Sequence, residues 1–118
     1  MSESVDVSSL RMLRQLQRPG EPDRVGRIVS HFLEETAERI TALHAAVDAS
    51  DAPALERAAH ALKGIAGTVG AHELRDRALQ LEQIGQQGHT TGAAELLAAL
   101  EGSFARAQPV FEELRSGV

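Results

Sequence analysis

The chain has 118 residues, of which 42% are hydrophobic and 25% charged, a balance that fits one globular domain and disfavours a disordered or fibrous protein. Its formal net charge is -5 and it has no Lys/Arg-rich block, which disfavours nucleic acid or an anionic membrane as a partner. The absence of cysteine excludes disulfides, thiolate zinc sites and cysteine nucleophiles. No transmembrane-length apolar run or signal-peptide pattern is present, so we expect a cytoplasmic protein.

Apolar residues recur at three- and four-residue steps and do not alternate, which predicts an all-α fold. The predicted helices cover residues 8–17, 22–47, about 52–68 and 71–87, and a fifth begins with Thr90 or Thr91 as its N-cap. Residues 1–7 are expected to be disordered. Because short connections make neighbouring helices antiparallel, we predict an antiparallel up-down four-helix bundle with an additional short N-terminal helix, in one domain of residues 1–118.

Several residues mark the ends of these helices. Asp51 is the expected N-cap of the third helix, with Pro53 in its first turn, where the missing N–H costs little. Gly70 is expected to separate the third helix from the fourth, and Gly88 to end the fourth. Pro109 is expected to kink or loosen the last turns of the fifth helix.

The third helix has two different faces on a helical wheel. Its apolar residues lie opposite His60, which should therefore point to solvent. The residues of the apolar face are Leu55, Ala58, Leu62, Ile65, Ala66 and Val69. The residues within about 60° of His60 are Glu56, Arg57, Lys63, Gly64 and Gly67. We expect Glu56, Arg57 and Gly67 to contact a partner on this face.

Gly64 and Gly67 are unusual for the interior of a helix. Each costs roughly 1 kcal/mol relative to alanine, and this chain uses alanine freely nearby. They lie on the side of His60 and not on the core side, so packing inside the bundle does not explain them. We interpret them as clearing the surface for a partner that must reach the imidazole.

Lys63 follows His60 by three residues, a spacing that makes their side chains neighbours. An exposed imidazole has a pKa near 6.5, so a neutral, nucleophilic fraction is available at about pH 7. No catalytic constellation, nucleotide-binding loop or metal motif accompanies it. The pattern favours reversible phosphorylation of His60 by a partner that supplies the catalysis, with no metal or cofactor held by this chain.

The stretch "AAHALKGIAGTVGAHELRDRALQLE" resembles the signature of histidine-containing phosphotransfer (HPt) domains. The signature residues in this chain are Ala59, His60, Leu62, Lys63, Gly64, Gly70, Ala71, Leu74, Leu81 and Glu82. The segment before the motif, from Val25 to His60, also resembles the family. One difference is Ala78, which stands where many relatives have cysteine, at an expected core position.

The resemblance implies a four-helix bundle that acts as a phosphorelay intermediate in two-component signalling. His60 would accept a phosphoryl group from the aspartyl phosphate of a receiver domain and pass it to another receiver aspartate. Lys63 would help to neutralise the phosphoryl group, and Gly64 would leave room for the receiver. The implied partners are receiver domains of response regulators or hybrid histidine kinases, magnesium would belong to the receiver, and the carrier would be a monomer.

Two alternatives to this interpretation stay open. The first is a docking module that keeps the fold and binds a receiver or an enzyme without phosphotransfer. The second is a dimerisation fragment of a histidine kinase, because "HELR" at His72 resembles the start of that family's phosphoacceptor box. The Thr-Pro-Leu continuation of that box is missing here, so we interpret His72 as a polar residue in the first turn of the fourth helix. No motif surrounds His31, His44 or His89.

Overall fold

A computed structural model describes residues 5–117. Within this range the chain forms five α-helices and no strand: α1 (Ser8–Leu16), α2 (Arg24–Asp48), α3 (Ala52–Val69), α4 (His72–Gln86) and α5 (Ala93–Arg115). The predicted all-α class is confirmed. Among the helices of the described residues, none is both long and apolar enough to cross a membrane.

The four long helices form a closed ring of contacts. Helices α2 and α4 each pack against both α3 and α5, and α1 lies against α2. Short connections of three residues (49–51) and two residues (70–71) reverse the chain around α3, as an up-down bundle requires. Between α2 and α5 the core is aromatic, because the ring of Phe32 meets Phe104 edge-on and lies 4.6 Å from the centroid of Phe111.

The ends of α3 agree with the prediction. The Asp51 carboxylate accepts a hydrogen bond from the Ala54 amide, and Pro53 lies in the first turn. Gly70 ends the helix with a left-handed φ of 81°. A Cβ atom at Gly70 would also collide with the carbonyl oxygen of Asp6, so both the turn and the approach of the N-terminal segment favour glycine.

The starts of α2 and α5 differ from the prediction. Helix α2 begins at Arg24 and not at Pro22, because the Asp23 carboxylate caps the Gly26 amide. The prediction of Thr90 or Thr91 as the N-cap of α5 is wrong, since Gly92 takes this position. Its left-handed φ of 81° turns the chain so that Ala93, fully buried, opens the helix against the core.

One expectation near the N-terminus is also corrected, and the expected kink or loosening at Pro109 stays a prediction. Residues 5–7 are not disordered, because the Asp6 amide donates a 2.8 Å hydrogen bond to the Gly70 carbonyl and Val7 is buried; residues 1–4 lie outside the described range. Helix α5 continues unbroken through Pro109 to Arg115. Its last turns are held by Phe111 and Leu114, which are buried in the core beyond the proline.

A close contact between α3 and α4 involves Gly85. A Cβ atom at this position would lie 2.8 Å from the Glu56 amide nitrogen and 2.9 Å from the Ala52 carbonyl oxygen. Glycine therefore allows α4 to lie directly on the first turns of α3. The preceding turn of α4, which carries Glu82, is thereby brought against the middle of α3, where His60 is located.

Candidate functional site

His60 projects from the middle of α3 into solvent, with 69% of its side chain exposed. The opposite face of the helix packs into the core, as its periodicity predicts. Five of the six residues of that face are buried and Ile65 is half-buried: Leu55, Ala58, Leu62, Ala66 and Val69 are the buried five. The helix therefore presents the imidazole outward from a fixed backbone.

A buried carboxylate from the neighbouring helix lies beneath the imidazole. Glu82 on α4 has a side chain that is 6% exposed, and its two oxygens bind two different residues of α3. Oε2 is 2.5 Å from Nδ1 of His60, and Oε1 accepts a 2.7 Å hydrogen bond from Nζ of Lys63. The carboxylate thus connects the exposed His60 with the half-buried Lys63.

This contact determines which nitrogen of the neutral imidazole carries the proton. The ammonium group of Lys63 lowers the pKa of Glu82, burial opposes this shift, and the hydrogen bond with His60 adds to it. Because the carboxylate is ionised, it only accepts hydrogen bonds, so the neutral ring carries its proton on Nδ1 and donates it to Glu82. The lone pair is then on Nε2, the ring nitrogen that faces away from the Glu82 contact.

The inward position of Glu82 on α4 follows from the sequence, whereas the residues that it binds do not. Glu82 follows the buried Ala78 by four residues and precedes the buried Gly85 by three, so it lies on the inward face of α4. A charged residue on such a face requires a partner. Two residues of the same α3 face, His60 and Lys63, are the partners that the tertiary structure supplies.

The surface on the α2 side of His60 is open and apolar. No atom of residues 5–117 lies within 4 Å of a Cβ atom built on Gly64, whereas one on Gly67 would lie 3.4 Å from Cδ of Arg75. Gly64 borders a groove of about 580 Å³ between α2 and α3. The groove is lined by Arg27, Ile28, His31, Phe32, Ala61, Gly64, Ile65, Thr68 and Val69. Gly64 therefore joins the imidazole to an apolar surface.

The α4 side of His60 is a polar recess of about 480 Å³. Besides His60 and Glu82, its lining consists of Glu56, Arg57 and Gln86. Arg57 is exposed and forms no ion pair with the residues that the structure describes. The predicted face is thus divided, with Gly64 on the apolar side of His60 and Glu56 and Arg57 on the polar side.

The other histidines lie apart from this cluster. His72 is the first residue of α4, in agreement with its interpretation as a first-turn residue. His44 lies 2.9 Å from the Glu101 carboxylate on α5, and His31 lines the apolar groove. Over residues 5–117, no three side chains of the metal-ligating types come together as a metal site.

Comparison with known proteins gives a consistent result. The model of the Hpt domain family matches residues 27–109. The structure is similar to that of histidine-containing phosphotransfer protein B (HptB) from Pseudomonas aeruginosa, with 28% identity, a TM-score of 0.87, and 100% of this chain and 99% of that chain covered. The maize histidine-containing phosphotransfer protein ZmHP2 has 26% identity and a TM-score of 0.83, with 94% of this chain and 86% of that chain covered.

A putative histidine-containing phosphotransfer protein from rice has 21% identity and a TM-score of 0.79, with 97% of this chain and 85% of that chain covered, which supports the fold alone. A search of curated protein sequences finds no significant match.

Proposed function

The chain belongs to the Hpt domain family and is a phosphorelay intermediate of two-component signalling, and we propose that His60 is the residue that carries the phosphoryl group. The observation that carries this proposal is the contact of an exposed imidazole with a buried carboxylate. A proton held on Nδ1 leaves Nε2 as a nucleophile that a partner can reach.

The transfer step follows from this tautomer. Nε2 attacks the phosphorus of a receiver's aspartyl phosphate, and the N–P bond forms while the P–O bond to the aspartate breaks. The electron pair of the broken bond leaves with the aspartate carboxylate. His60 keeps its proton on Nδ1, so the phosphorylated ring becomes cationic and is stabilised by the anionic Glu82. Transfer to a second receiver reverses these steps.

Lys63 and the glycines have supporting roles in this proposal. Lys63 fixes the ionised form of Glu82 and, when the phosphoryl group arrives, contributes a positive charge beside it. Gly64 leaves the surface beside the imidazole open, which supports the approach of a receiver over the apolar groove. Glu56 and Arg57 line the polar recess on the other side of His60, and we expect them and Gly67 to border the bound receiver.

Hpt domains act with receiver domains, and the receiver supplies the catalytic groups in this proposal. Within the described part of the chain, the hydrogen-bonding partner of His60 is Glu82, and no other side chain there pairs with His60 as a nucleophile or a base. We propose that the 118 residues act as one domain, as a cytoplasmic monomer without a metal or cofactor of its own. Sedimentation velocity of the purified chain tests the monomer.

Phosphotransfer from a receiver tests the assignment of His60. The full chain is incubated with a receiver domain that carries a labelled aspartyl phosphate. We expect label that is labile in acid and stable in alkali, as a phosphoryl–nitrogen bond requires. His60→Gln should abolish the label, whereas His72→Gln, which removes the same side chain outside the cluster, should keep it.

Other results would refute the proposal. Label that persists in His60→Gln would show that another residue accepts the phosphoryl group. Label lost in His72→Gln, together with a homodimer, would identify a kinase dimerisation fragment. If every receiver of the source cell binds the chain but none transfers a phosphoryl group, the chain is a docking module.

A further inference from the structure

The phosphoryl group on His60 has to be held by cationic or hydrogen-bonding groups once it has arrived. Lys63 already has a partner, because its ammonium group binds Glu82 at 2.7 Å and 30% of its side chain is exposed. Glu82 in turn uses its other oxygen for His60. The site described so far therefore has one cation, and that cation is shared with a buried carboxylate.

A second cation lies on the opposite side of His60 along α3. Arg57 precedes His60 by three residues, as Lys63 follows it by three, and residues at this spacing have Cβ atoms about 5–6 Å apart. In an α-helix the Cα–Cβ bonds tilt toward the N-terminus, so the imidazole leans over the turn that carries Arg57. Consistent with this, His60 and Arg57 line the same polar recess.

We propose that this recess receives the phosphoryl oxygens of phosphorylated His60, and that Arg57 binds them. The guanidinium group of Arg57 has no competing ion pair within the described range and is exposed, so it is free to reorient. Guanidinium groups bind phosphoryl oxygens through two parallel N–H donors, which suits a dianionic group attached to Nε2. Gln86 lines the same recess and adds an amide donor.

Glu56 gives the recess an opposing charge. Glu56 is half-buried and lines the recess together with Arg57. A carboxylate beside a dianionic phosphoryl group is repulsive, and the same carboxylate can attract the guanidinium group away from the phosphoryl group. The proposal therefore predicts opposite effects for the two neighbours: removing the charge of Arg57 weakens the hold on the phosphoryl group, and removing the charge of Glu56 strengthens it.

This inference rests on the phosphorylation of His60, so its test uses a phosphoryl donor that needs no receiver. Phosphoramidate, a small phosphoryl donor, is incubated with the full chain: Nε2 forms the N–P bond while the donor's P–N bond breaks and ammonia leaves. The pKa of the resulting phosphoryl group is then read from the pH dependence of its phosphorus-31 NMR shift. A neighbouring cation favours the dianion and lowers this pKa.

We expect Arg57→Gln to raise the phosphoryl pKa by about 0.2 to 0.7, the range that follows from an exposed charge pair. Arg57→Lys should keep most of the wild-type value, and Glu56→Gln should lower the pKa. Arg115→Gln removes the same charge from the exposed end of α5, outside the recess, and should leave the value unchanged. In a mixture with a receiver, Arg57→Gln should also reduce the equilibrium ratio of phosphorylated His60 to phosphorylated aspartate by about 1.4- to 5-fold.

A phosphoryl pKa in Arg57→Gln equal to that of the wild type would overturn this proposal alone. An equal rise in Arg115→Gln would do the same, because it would trace the effect to net charge and not to the recess. If the wild-type chain takes no phosphoryl group on His60 from either donor, both this proposal and the proposed function fail.

Discussion

The hydrogen bond between Glu82 and His60 is the contact whose removal has the most informative consequence. Glu82→Gln replaces a carboxylate with an amide of nearly the same shape, so it tests the charge and not the volume. The amide can still accept one hydrogen bond, yet it can also present its NH₂ group to Nδ1 and thereby favour the wrong tautomer. A net hydrogen bond of this kind contributes about 0.5–1.5 kcal/mol, which corresponds to about a 2- to 12-fold change in tautomer ratio.

We therefore expect Glu82→Gln to slow phosphoryl transfer to His60 by up to about 12-fold, without abolishing it, because the rate follows the fraction of the reactive tautomer. Rates of label transfer from a phosphorylated receiver, measured with the chain in excess, give the ratio directly. Nitrogen-15 NMR shifts of the His60 ring provide a second measurement, because they distinguish a proton on Nδ1 from one on Nε2.

The matched control is Glu73→Gln, also on α4. The Glu73 carboxylate binds Arg106 and Ser103 on α5 and does not contact His60. Its pKa is likewise lowered, chiefly by Arg106. This variant should transfer at the wild-type rate. Equal transfer rates in Glu82→Gln and wild type, with unchanged ring shifts, would refute the assignment of the tautomer to Glu82.

Four further predictions concern stability and clearance. Gly64→Ala should raise the free energy of unfolding by about 0.5–1 kcal/mol, since its Cβ would contact none of the described residues, while slowing transfer from a receiver; a higher free energy of unfolding without slower transfer would contradict the docking role. Gly85→Ala should lower the free energy of unfolding by about 1–3 kcal/mol, measured in urea, because its Cβ would overlap the backbone of α3, and an unaltered stability would contradict that close contact. Thr36→Val should stabilise the protein by about 1 kcal/mol, because the buried Thr36 hydroxyl has no hydrogen-bond partner among the described residues; destabilisation would show that it has one. The pKa of Glu82 lies below its ordinary value of 4.5, so its stabilising contribution should be complete above pH 4.5 and be lost as the pH falls through the lower, folded-state pKa. Chemical unfolding of wild type and Glu82→Gln at several pH values should therefore show that the difference between their free energies of unfolding shrinks in acid. A difference that grows in acid would reverse the sign of the pKa shift.

The helices and their inward faces could be predicted from the sequence because they depend on local periodicity. The apolar steps of α2, α3 and α5 recur every three or four residues, so the buried side of each helix follows from the spacing alone. Capping at Asp51 and the left-handed turn at Gly70 are also local, because each depends on the hydrogen bonds and φ of neighbouring residues. The errors at Thr90, Thr91 and residues 5–7 occurred where contacts with distant residues decide the conformation.

The outward position of His60, with Lys63 and Gly64 on the same face, was determined by the sequence itself, because i, i+3 and i+4 neighbours share a face in any α-helix. The protonation of the ring was decided by the tertiary structure. Glu82 is twenty-two residues from His60 along the chain, and it reaches Nδ1 because Gly85 lets α4 lie close against α3. The division of the face into an apolar groove and a polar recess has the same origin, since each side is formed with a different neighbouring helix.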